Sequence, residues 1–112
     1  MRLRADFWVS AYLRRCHQEG ACAMLRKRGA AEAGAIFIKI DRLDGSAAVY
    51  GPAPQSEVID PHDRLFTRLH GEPWIAMDEA EAKLARQIRF DPDLWIVETE
   101  DPRGRIFFDF VG

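Results

Sequence analysis

The chain has 112 residues, 47% of them hydrophobic, 30% charged and 11% aromatic, with 16 Lys/Arg against 18 Asp/Glu for a net charge of −2. That length and composition describe one domain, residues 1–112, able to bury a core without metal or disulfide staples, and they exclude a disordered chain. No apolar run approaches the roughly 18 residues that cross a bilayer, and no apolar signal core follows Arg2 and Arg4, so we expect a cytoplasmic protein with no membrane partner.

The charge is uneven. Residues 1–42 hold nine basic and four acidic side chains, while residues 43–112 hold seven and fourteen. Either the two parts compensate each other in the fold, or the first presents a basic patch to a polyanion. The pI near 5.9 is far from that of a typical nucleic-acid-binding domain.

Residues 7–19 read as a helix, because Trp8, Val9, Tyr12, Leu13 and Cys16 share one face at period 3.6. Asp6 is the expected N-cap and Gly20 the left-handed residue after the C-terminus. A rival reading makes Leu3–Val9 a strand. Residues 21–28 are read as a strand, with helix continuation left open. Through Gly29 and the short 30–34 connection they would pair as a hairpin with the central strand.

That central strand is centred on Gly34–Asp41 and runs to about Leu43; Ile36, Ile38 and Ile40 recur there at period two and predict one buried face. Asp44-Gly45 predicts a tight type I′ turn into a third strand, Ser46–Tyr50. Pro52, Pro54 and Pro61 make residues 51–63 a loop. Arg64–Leu69 alternates as a fourth strand, and Trp74–Met77 leads into a second helix. In that helix Asp78 and Glu81 form a capping-box-like pair and Ala80, Leu84 and Ile88 form a stripe ending at Asp91-Pro92. Leu94–Thr99 and Ile106–Val111 read as a closing hairpin around Asp101-Pro102-Arg103-Gly104. The expected fold is α+β, an antiparallel meander of about four to six strands packed with two helices.

The stretch Arg4–Cys16, with Leu25-Arg26-Lys27-Arg28-Gly29, Ala33–Ile40 and Trp95-Ile96-Val97-Glu98, resembles a small bacterial family, domain of unknown function number 1491. The resemblance covers nearly the whole chain. It implies a bacterial cytosolic protein of this length, and carries over no activity, ligand or catalytic residue.

The chemical constellations are thin. Cys16-His17 and Cys22 offer soft ligands, but no tight pair of the Cys-x-x-Cys kind is present and Cys16 points at the core, so no metal or cofactor is expected and both thiols are read as free. Cys16 and His17 diverge by about 100° on a helix, too far to act as nucleophile and base. Ser10, Ser46 and Ser56 lack a nucleophile elbow. Carboxylate pairs drawn from Asp60, Asp63, Glu98, Glu100 and Asp109 come cheaply in so acidic a segment, and Glu98 and Glu100 are expected to face water. No phosphate-cradling glycine motif is present. No residue is therefore assigned as catalytic.

Two binding constellations remain. Trp74, Trp95, Phe107, Phe108 and Phe110 crowd the C-terminal half, and a strand with Phe107 and Phe108 on opposite faces leaves one face for helix 78–90 or another subunit. Arg14, Arg15, Arg26, Lys27 and Arg28 form the candidate polyanion edge, with Tyr12 or Phe7 for stacking. The leading expectation is a non-enzymatic interaction or regulatory module that binds itself or another protein, a homodimer being one form. The alternatives are a nucleic-acid-associated protein using the basic patch, and an enzyme with an unrecognised site.

Overall fold

A computed structural model describes residues 3–54 and 64–111 of the chain. The elements run α1 (Ala5–Gln18), β1 (Cys22–Lys27), β2 (Ile36–Asp41), β3 (Ser46–Pro52), β4 (Phe66–Arg68), β5 (Ile75–Ala76), α2 (Met77–Phe90), β6 (Trp95–Glu100) and β7 (Phe110–Val111). The proline-rich loop expected at 51–63 begins later, since Gly51 and Pro52 belong to β3. Its residues 55–63 lie outside the described part.

The α+β reading holds, with two helices among the described residues, but the sheet they pack on is mixed and has seven described strands. Its order is β1-β6-β2-β3-β4-β7, and β5 pairs with β3. β2 runs parallel to β6 and antiparallel to β3. The strand at 21–28 is present as β1, but it does not form a hairpin with β2, because β6 lies between them. β6 and β7 likewise form no hairpin. β7 has two residues and runs parallel to β4 near the far edge, while residues 106–109 are not strand.

Burial explains why β6 takes the central place. All six residues of β2 are buried, not one face alone. Ile36, Ile38 and Ile40 pack with Val9, Tyr12 and Cys16 of α1, together with Trp95 and Val97. On the other face Phe37 and Ile96 pack with Ala80 and Leu84 of α2. Two such strands each need cover on both faces, which interior positions under two helices provide. Each fully buried Ile contributes about 1.5–3 kcal/mol over exposure.

The helix starts differ from the capping expected. α1 follows Arg4 and α2 follows Ala76, neither with a side-chain cap. Backbone carbonyls do that work instead. In α1, Ala5 N–H donates to Glu32 O and Asp6 N–H to Ala31 O, each at 3.0 Å, and in α2, Met77 N–H donates to Gly45 O at 3.1 Å. Asp6 and Asp78 sit one residue inside their helices, where a carboxylate still complements the dipole.

The β2–β3 turn spans residues 42–45. Leu43 (φ 64°) and Gly45 (φ 89°) are both left-handed, so this is not the type I′ turn expected of Asp44-Gly45. Asp41 Oδ1 accepts the Leu43 N–H at 2.7 Å and holds that strained residue in place.

Candidate functional site

A groove of about 460 Å³ lies between α1 and the 106–109 segment. Trp8, Tyr12, Ile106, Phe107 and Phe108 give it an aromatic and aliphatic wall, and Arg15, Arg64 and Asp109 add charge. The 3.6 periodicity of α1 sets Trp8, Ala11, Tyr12 and Arg15 along one flank. The opposite flank exists because residues 106–109 leave the sheet and lie across its α1 side.

Ring contacts make the wall rigid. Trp8 stacks on Tyr12 at 5.2 Å and 10°. Phe66 of β4 meets Trp8 and Phe108, each at 5.1 Å, and Phe108 meets Tyr50 of β3 edge-on at 5.0 Å. Such pairs add about 0.5–1.5 kcal/mol each beyond area burial. Phe107 lies between two guanidinium groups, Arg15 at 5.8 Å and Arg105 at 5.2 Å. Arg105 is fixed from below by Asp101, whose carboxyl it holds below the ordinary carboxylate range.

The nucleophilic groups nearby are poorly suited to chemistry. Tyr12 and Thr99 share a buried 2.6 Å hydrogen bond, and Cys16 lies 3.7 Å from the same Thr99 oxygen. Burial pushes both the Tyr12 phenol and the Cys16 thiol above their ordinary values. A thiol pushed up is a poor nucleophile at neutral pH. Cys22 is exposed, and both cysteines are free.

The opposite face carries a charged network that the sequence reading missed. Lys39 of β2 is only 4% exposed and Glu98 of β6 only 8%, so Glu98 does not face water. Lys39 Nζ lies 2.6 Å from Glu81 and 3.5 Å from Glu98. Arg26 of β1 donates to both Glu81 oxygens at 2.8 Å and to Glu98 at 3.1 Å. Glu81 is thus not a capping-box partner; it bridges α2 to the sheet, and its hydrogen bond to Arg26, with Lys39 beside it, holds its carboxyl down at about 2. The clue in the sequence was a lysine in a strand whose neighbours all read as core. Asp41, Glu98 and Glu100 bring one carboxylate oxygen each within 4.8 Å of one another. Glu98 is already neutralised by Arg26 and Lys39, and Asp41 is occupied by Leu43 N–H, so the trio does not make a convincing cation site.

The five basic residues singled out in the sequence do not converge. Arg14 and Arg15 are exposed on α1, and Arg15 pairs with Glu19 at 3.4 Å. Arg26 is bound into the network on the opposite face. Lys27 donates to the carbonyls of Pro92 and Leu94, and Arg28 stacks on Trp95 at 5.2 Å. Of the five aromatics, Phe107 and Phe108 line the groove and Phe110 lies beside it, 47% exposed. Trp95 is core, 1% exposed, donating its indole N–H to Ala30 O. Trp74 is half-buried under the Arg42 guanidinium at 4.2 Å. Phe107 and Phe108 lie on the α1 side, so helix 78–90 does not cover them. Sequence reasoning did not find Trp8 and Arg64 as groove residues, because it placed 106–111 in a strand.

The family model described as protein of unknown function DUF1491 matches residues 3–109. The chain belongs to the DUF1491 family. The crystal structure of a DUF1491 family protein from Caulobacter crescentus CB15 is similar at 31% identity and a TM-score of 0.80, covering 100% of both chains. The NMR structure of a DUF1491 family protein from the same organism gives 31% identity and 0.81, covering 100% of this chain and 99% of that one. The solution structure of an A. tumefaciens protein is 41% identical, with a TM-score of 0.76 over 89% of this chain and 86% of that one. No curated protein matches this chain. Membership of DUF1491 therefore fixes kinship and fold. The described helices include none long and apolar enough to cross a membrane.

Proposed function

We propose that this DUF1491 protein is a non-enzymatic, cytoplasmic polypeptide-binding module, and that its docking surface is the groove between α1 and residues 106–109. One observation carries this reading: the groove has an aromatic wall with guanidinium groups beside it. Aromatic and arginine side chains are the types enriched where partners anchor. The nearby Cys16 and Tyr12 are buried with their ionisation suppressed, which favours recognition over chemistry there.

The charge of the groove selects the occupant. The partner segment carries a large apolar side chain to lie against Phe107 and Phe108 and a carboxylate to meet the exposed Arg15 guanidinium beside Phe107 in place of Glu19. The test is an NMR titration of labelled protein with short acidic peptides containing Trp or Phe, against lysine-substituted versions. The acidic peptides shift the amide signals of Ala11, Arg15, Phe107 and Phe108, and Arg15→Glu or Phe107→Ser weakens binding about tenfold. Absence of shifts with every peptide sinks the reading. Concentration-dependent dimerisation abolished by Arg15→Glu replaces the peptide with a second copy. Salt-steep oligonucleotide binding lost on mutating Arg14 and Arg28 replaces it with a nucleic acid.

A further inference from the structure

The outer side of β3 is shared by two strands. β5 pairs with it at Ser46 and Ala47, and β4 at Tyr50, Gly51 and Pro52. Val49 lies in the gap between them and is fully buried. Its carbonyl accepts the Leu69 N–H at 2.9 Å. Its N–H donates to Nε2 of the His70 imidazole at 3.1 Å, where a strand would supply a carbonyl.

The other ring nitrogen is also engaged, since His70 Nδ1 lies 2.7 Å from Glu72 O. A carbonyl only accepts and an amide N–H only donates. Both contacts are satisfied together by one form alone, the neutral ring with its proton on Nδ1. Arg68 fixes the turn that presents the ring, its guanidinium donating to His70 O and Gly71 O, each at 3.1 Å.

We propose that His70 is a pH-sensitive latch: a proton arriving at Nε2 sets donor against donor at Val49, frees the turn of residues 69–73 from β3, and loosens β4. β4 carries Phe66, whose ring backs Trp8 and Phe108 in the groove wall. The effect on the groove rests on the binding reading above, but the latch itself does not.

The charged groups around the ring agree with this. Burial is the largest influence and lowers the His70 pKa below 6.5. The hydrogen bond to the Glu72 carbonyl opposes it, Arg68 of β4 and Lys83 of α2 repel a second positive charge, and the Glu72 carboxylate attracts it weakly. A histidine held neutral by the fold stabilises above about pH 6.5, and that contribution is lost as pH falls through its lowered value.

The test uses the free 112-residue chain, so it is independent of any groove ligand. Imidazole ¹⁵N shifts report the tautomer, and amide exchange of Val49 and Leu69 reports the latch. At neutral pH Nδ1 of His70 is protonated and Nε2 is not. Between about pH 7.5 and pH 5 the exchange of both amides, corrected for its intrinsic pH dependence, rises about tenfold as His70 protonates. In His70→Gln a carboxamide oxygen accepts the Val49 N–H without titrating, and the pH dependence disappears. An Nε2-protonated ring at neutral pH overturns the proposal, as does Val49 protection unchanged through the His70 titration. If those measurements succeed while no peptide binds, the latch stands and the groove reading falls.

Discussion

Replacing Lys39 by Met takes one cation out of the network that ties β1, β2 and β6 to α2. In the native protein Glu81 and Glu98 are each approached by both Arg26 and Lys39. Without the ammonium, Glu98 at 8% exposure keeps Arg26 alone. Removing one member of a buried pair costs about 3–5 kcal/mol, because the charge left behind is desolvated and uncompensated. Arg26 remains, so we expect the low end, about 3 kcal/mol, and a Tm lower by about 12–20 °C. Pairing Lys39→Met with Glu98→Gln removes the stranded charge as well. The double variant is then about 2 kcal/mol more stable than the sum of the singles predicts. Urea unfolding followed by tryptophan fluorescence measures all three. Acid titration supplies a second reading. Glu81, lowered from 4.5 to about 2, stabilises above pH 4.5 and loses that contribution as pH falls toward 2. In Lys39→Met that contribution is smaller and its loss is complete at a higher pH. A single-variant cost below about 1 kcal/mol, or strict additivity, refutes the argument that the network is coupled and desolvated.

Three further outcomes follow from local geometry. Leu43→Gly relieves a left-handed side chain at φ 64° and stabilises the protein by about 0.5–1 kcal/mol in thermal unfolding, the relief exceeding the entropy cost of glycine. Thr99→Val strands the Tyr12 hydroxyl in the core and costs about 1–3 kcal/mol, whereas adding Tyr12→Phe recovers most of the loss; chemical denaturation of the pair decides this. Cys22 reacts with a thiol reagent in the native protein at the rate of a free thiol, while Cys16 reacts only on unfolding, and equal native rates would show that Cys16 is not shielded.

Local pattern made part of this fold legible. The face of α1 follows from Val9, Tyr12 and Cys16 at helical spacing, and β2–β3 follow from period two and a Gly-bearing turn. What failed was pairing. Leu94–Thr99 was recognised as a strand, yet its neighbours are Cys22–Lys27 and Ile36–Asp41, and no local feature marks a partner so distant in sequence. Phe107 and Phe108 misled because an aromatic run reads as a strand, whereas their rings turn against α1 and build the groove. Asp6 and Asp78 look like caps because the carbonyls that serve the first amides of the helices come from elsewhere, at Ala31, Glu32 and Gly45. The network of Lys39 and Glu98 was hidden for the same reason: a charge in a strand reads as solvent-facing until its partners on other elements are known.

The place of β6 also dictates an order of events. Strands β1 and β2 have no common edge until residues 95–100 arrive between them, and those residues are synthesised well after both. An emerging chain therefore holds Ile36, Ile38 and Ile40 beside an unpaired edge, under α1 but without the strand that seals them. Folding must close loops of about sixty residues or more before the sheet is continuous, which slows it relative to a meander of the same size. The exposed Ile strand is then the segment most prone to pair with another nascent chain. A chain truncated before Trp95 keeps most of its residues but loses the strand that joins β1 to the rest of the sheet.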